Sequence, residues 1–65
     1  MIKLYIIESG SDYEGGSIDY IFSSKEKATN KFNEIVKLDN WTIENELNAY
    51  QYGRWMRLSE YKTDD

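Results

Sequence analysis

Neither cysteine nor histidine occurs among the 65 residues. That double absence removes disulfides, thiolate nucleophiles, zinc sites of the usual Cys/His kind and imidazole acid–base catalysis together. A small cysteine-free chain fits a reducing compartment. No apolar run approaches the roughly 20 residues that span a bilayer, and the N-terminus lacks a basic segment leading into an apolar one. The expectation is a soluble protein of the cytoplasm with no membrane partner. Positive charge is also scarce: 8 Lys and Arg face 12 Asp and Glu, for a net charge of −4. Binding to phosphate backbones without regard to sequence needs a clustered positive surface that releases counterions, so this balance disfavours nucleic acid and favours a protein partner.

What is present is enough for one small folded domain, residues 1–65. A chain of this size buries only roughly 60% of its unfolded surface, so every large apolar side chain counts. Hydrophobic residues make up 40% of the chain, and its two Trp, two Phe and six Tyr supply much of the area available for a core. Charge is zoned. Residues 1–24 hold Glu8, Asp12, Glu14 and Asp19 against Lys3. The next segment reverses the balance, with Lys25, Lys27, Lys31 and Lys37 against Glu26 and Glu34.

Periodicity gives an α+β fold. In Met1 to Glu8, Ile2, Leu4 and Ile6 alternate with Lys3, Tyr5 and Ile7, which predicts a strand with one fully apolar and one mixed face. Ser17 to Phe22 repeats the pattern, with Ile18, Tyr20 and Phe22 on one face and Asp19 and Ile21 on the other. The two strands pair as a hairpin across the loop Ser9 to Gly16, which is long for such a connection. Ser23 and Glu26 have the Ser-x-x-Glu spacing of a capping box, and Ala28, Phe32, Ile35 and Val36 form one helical stripe ending near Asp39 and Asn40. Met56 and Leu58 alternate against Trp55, Arg57 and Tyr61 in a final strand, and the tail from Thr63 is expected to fray. A right-handed crossover then gives a three-stranded antiparallel sheet of order 2-1-3 with the helix on one face. Segment 41–52 fits two periods. Its Glu44, Glu46, Leu47 and Ala49 favour a short second helix that stops at Gly53, and an extra strand hairpinned to the last one is the alternative.

The run Tyr5-Ile6-Ile7, the loop Asp12-Tyr13-Glu14-Gly15, the junction Phe22-Ser23-Ser24-Lys25-Glu26-Lys27-Ala28 and the terminal Leu58-x-Glu60-Tyr61 together resemble a group of short bacteriophage and prophage proteins. The likeness covers the first 28 residues and about the last eight; Leu38 to Gly53 falls outside it. The resemblance implies a phage accessory protein acting in the host cell, a class that often inhibits or redirects a host defence or regulatory protein by binding it.

Among chemical motifs, Asp12 and Glu14 could ligate a hard cation, but the spacing of an EF-hand loop is missing, and no metal or other cofactor is expected. No spacing pairs a nucleophile with a base, and so small a domain offers little room for a pocket of several hundred Å³, so the chain reads as a non-enzyme. The expected protein contacts are Asp12, Tyr13 and Glu14 in the loop, with Asp19, Tyr52 and Trp55. Tyr is a good anchor because it joins rigid area to a polar end. Three alternatives remain. Tyr5, Tyr20, Tyr50, Tyr52, Trp55 and Tyr61 could form a sheet platform for stacking bases. Asp12, Glu14, Asp19, Glu44 and Glu46 could mimic DNA phosphates. The open sheet face or an edge strand could pair with another copy in a structural role.

Overall fold

A computed structural model describes residues 2–63. Met1, Asp64 and Asp65, placed by the sequence reading in the first strand and the fraying tail, lie outside the described residues. The elements are β1 (Ile2–Ser11), β2 (Gly15–Phe22), α1 (Lys25–Leu38), β3 (Thr42–Asn45), β4 (Asn48–Gln51) and β5 (Arg54–Thr63). All strand pairs are antiparallel, in one sheet of order β2-β1-β5-β4-β3. The α+β class is as expected, and β1 stands between β2 and the last strand as the 2-1-3 order requires. The strand count is five rather than three. Thr63 closes β5 opposite Ile2 and is not part of a frayed tail.

The two additional strands come from segment 41–52, so the expected short helix is corrected to the hairpin alternative. Asn45 closes its turn: Oδ1 accepts from the Leu47 N–H at 2.8 Å and from Asn48 Nδ2 at 3.1 Å. Gly53, with φ +73°, returns the chain from β4 into β5. Helix-favouring residues give way here because pairing with β5 satisfies the backbone, and because Ala49, set opposite Met56, is 2% exposed in the core.

α1 starts one residue later than the Ser23/Glu26 capping box predicts. Ser24 is the N-cap and its side chain accepts from the Lys27 N–H at 3.3 Å. The third helical position is therefore Lys27, and the reciprocal Glu contact of a capping box is lost. Ser23 serves as spacer between the end of β2 and the cap. At the other end Asn40 adopts φ 55°, and the Trp41 N–H donates to the Val36 carbonyl at 3.0 Å, the six-to-one bond of a Schellman termination. That turn drops Trp41 into the core.

The core lies between α1 and one face of the sheet. Ala28, Phe32 and Val36 from the helix meet Ile7, Ala49, Met56 and Leu58 from the strands, with Trp41 at the margin and Tyr5, Phe22 and Ile35 packed around them. β1 therefore turns its mixed face, not its fully apolar one, toward the helix. β2 carries an extra residue at Asp19, since Ile7 pairs with Tyr20 but Glu8 pairs with Ile18. This bulge breaks the expected alternation: Tyr20 and Phe22 stay on the helix side, whereas Ile18 joins Ile21 on the opposite face.

Candidate protein-contact surface

The loop read from the sequence as Ser9 to Gly16 shrinks to Asp12, Tyr13 and Glu14. Gly15 takes φ +72° and pairs directly with Ser11, while Ser11 Oγ accepts from the Glu14 N–H at 3.0 Å. A three-residue turn closed by a left-handed glycine is a standard hairpin solution, so length no longer marks this loop as special. Its position does. The Asp12 N–H donates to the Gly53 carbonyl at 3.1 Å, tying the β1–β2 turn to the β4–β5 turn at one end of the sheet. Tyr13 is 95% exposed and Tyr52 104% exposed on these joined turns. Neither ring contributes to the core.

Trp55 belongs to the same end but lies on the face away from α1. It stands opposite Gly10 on β1, and Gly10 stands opposite Gly16 on β2. A Cβ on Gly16 would come within 2.5 Å of Trp55 Cη2, so the indole occupies the trough that the two glycines leave. Arg57 sits over the ring, 5.1 Å from its centroid. Asp12, Tyr13, Glu14, Tyr52 and Trp55 are thus gathered at one end, as a joint contact surface requires.

Asp19 is not among them. Its bulge turns it to the helix side, where its carboxylate accepts from Ser9 Oγ. There it lines a cleft of about 460 Å³ with Tyr20, Lys31, Trp41 and Arg54. Lys31 lies 5.1 Å from the Tyr20 ring centroid and Arg54 5.2 Å from that of Trp41, whose buried Nε1 has no hydrogen-bond partner among the described residues. A second cleft, of about 660 Å³, opens between the Lys25, Thr29 and Asn33 flank of α1 and the β3–β4 turn. The expectation that so small a domain has little room for such a space is corrected, because one helix cannot cover five strands.

Two other groupings read from the sequence do not assemble. The aromatic platform is split, since Tyr5 and Tyr20 face α1 while Tyr50, Trp55 and Tyr61 lie on the opposite face. The acidic row is dispersed too: Asp19 belongs to the β2 edge and Glu44 to the β3 edge of the sheet. Among the described residues, no group of three or more His, Cys, Asp or Glu side chains is placed to hold a metal ion. Nor is any described helix long and apolar enough to cross a membrane.

The sequence offered an open sheet face for pairing with another copy without naming its residues. On the face away from α1, Ile2, Ile18, Ile21, Tyr50 and Tyr61 are each 49–57% exposed. The signal was available in the Ile2, Leu4, Ile6 alternation, but sequence alone does not say which side a helix will cover. Comparison with protein-family models, with curated proteins and with solved structures finds no match to this chain.

Proposed function

We propose that this protein is a non-enzymatic protein-binding module whose contact surface is the pair of joined turns carrying Asp12, Tyr13, Glu14 and Tyr52, flanked by Trp55. One observation carries the reading. Two tyrosines are essentially fully exposed on short turns locked together by a backbone hydrogen bond, an arrangement that folding does not require. Rigid aromatic anchors lose little entropy on binding, and Asp12 and Glu14 beside them select a basic partner surface. The resemblance to small phage proteins supports a host defence or regulatory protein as the target, with inhibition as the outcome. The splitting of the aromatic platform weighs against the base-stacking alternative.

Pull-down from host lysate with the wild type and a Tyr13→Ala, Glu14→Lys double variant tests the assignment. The expected result is a host protein retained by the wild type and bound about tenfold or more weakly by the variant. Equal recovery of every partner would rule out the turns as the contact.

A further inference from the structure

We infer that the sheet face away from α1 is the interface of a symmetric homodimer, with its two-fold axis running along the strands between β1 and β5. The inference goes beyond partner binding at the turns and does not rest on it, and it assigns Trp55, the flank of that contact surface, to the dimer face.

The face is apolar across three strands. Ile2, Leu4 and Ile6 of β1 lie between Ile18 and Ile21 of β2 and Trp55 and Tyr61 of β5. Monomers rarely expose contiguous apolar patches beyond a few hundred Å². Nothing else in the described chain covers this one, because β3 and β4 extend the sheet sideways instead of folding over it. The principal extents are 38 × 24 × 17 Å, and the open face is the broad side of a thin slab. A standard specific interface takes about 800 Å² from each partner, which an outline of these dimensions can supply.

Charge selects a second copy and fixes its orientation. Glu8 and Arg57 sit directly opposite each other on β1 and β5, near the middle of this face. Among the described residues neither forms an ion pair, and Arg57 instead lies over the Trp55 ring. Two faces stacked about an axis perpendicular to the strands at this level would set Glu8 against Glu8. An axis along the strands between β1 and β5 sets Glu8 of each copy against Arg57 of the other, twice. The same operation puts Ile6 against Ser59, a large residue against a small one near the axis, as aligned sheet packing demands. Much of the acidic surplus lies off this face. Asp12 and Glu14 lie in the turn, Asp19 is on the helix side, and Glu26 and Glu34 are on α1.

This axis has a consequence for the turns. It keeps both copies pointing the same way, so two Tyr13 and Tyr52 pairs emerge at one end of the dimer, suited to a target with two equivalent sites.

Sedimentation velocity on the full chain, from about 10 to 500 μM, is the test, over the range in which a modest interface saturates. The wild type is expected to reach dimer mass. Tyr61→Glu, on a central strand and half-exposed in the monomer, is expected to shift the dissociation constant at least tenfold without loss of fold by circular dichroism. Glu8→Arg and Arg57→Glu are each expected to dimerise about tenfold more weakly alone, and an equimolar mixture of the two is expected to regain wild-type association as a heterodimer. Tyr13→Ala with Tyr52→Ala is expected to leave dimerisation unchanged, which separates failure here from failure at the turns. A wild type monomeric at 500 μM overturns the proposal, whether or not it floats with phosphatidylcholine vesicles. A Tyr61→Glu dimer of unchanged affinity overturns it in favour of edge-strand pairing, and a charge-variant mixture that does not recover overturns the axis.

Discussion

The two faces of the sheet differ less in composition than in what lies on them. Beneath α1 sit Ile7, Ala49, Met56 and Leu58, all at most 5% exposed, with the rims of Tyr5 and Phe22. On the other side sit Ile2, Leu4, Ile6, Ile18, Ile21, Trp55 and Tyr61, of which only Ile6 is buried, shielded by its neighbours within the sheet. The second face has the more continuous apolar run along β1, yet the helix takes the first. Ala28 and Phe32, both almost wholly buried, pack there in one cluster with Ile7, Ala49, Met56 and Leu58. Apolar content alone therefore does not decide which face the helix takes.

The sharpest way to break this contrast is from the covered side. Phe32 is 1% exposed at the centre of the core, and Phe32→Ala removes both its transfer energy and the packing around it. A cost of about 3–5 kcal/mol is expected, comparable with the whole stability of a domain this small, so the variant should be largely unfolded at room temperature. Urea titration followed by far-ultraviolet circular dichroism measures it. A loss under 1 kcal/mol would mean that α1 is not the main cover of that face.

The cap sharpens the same contrast at lower cost. With Ser24 as N-cap, Ser24→Ala leaves the Lys27 N–H without its side-chain acceptor and should cost about 1 kcal/mol, while Ser23→Ala should cost a few tenths at most. Equal losses at the two serines would restore the capping box read from the sequence.

The existence of β1, β2, α1 and β5 was readable because each has a local period, although the bulge at Asp19 interrupts that of β2. The β3–β4 hairpin was not, because its fate depends on Ala49 being buried opposite Met56 and on Asn45 closing a turn, facts with no periodic signature. Gly10 and Gly16 misled for a related reason. Read locally they are loop punctuation, but they are strand residues facing each other, and their missing side chains seat Trp55, whose place in the chain is remote from both. At the contact surface, Asp12, Tyr13, Glu14, Tyr52 and Trp55 were each recognisable as residue types. Their convergence was not, since it rests on the register of β1 with β5 and on the bond from Asp12 to Gly53. Asp19 was misplaced by a one-residue bulge, which alternation alone cannot register.

The smallest expected effect lies on the uncovered face, and it separates folding from association. Ile21 is 57% exposed on an edge strand, opposite Ile6, and makes no part of the core beneath α1. Ile21→Thr keeps the β-branched shape that suits a strand and removes apolar surface already half in water, so the monomer should change by no more than about 0.5 kcal/mol. That value holds at low micromolar concentration, where a modest dimer is dissociated. At hundreds of micromolar the same substitution should lower the melting temperature relative to wild type, because stabilisation of the native state by a second copy grows with concentration and the variant forfeits part of it. Thermal melts at the two concentrations give the comparison directly. A cost that is already large when dilute would place Ile21 in the monomer's own core, and the distinction between a face built for the helix and a face built for a second copy would fail at that residue.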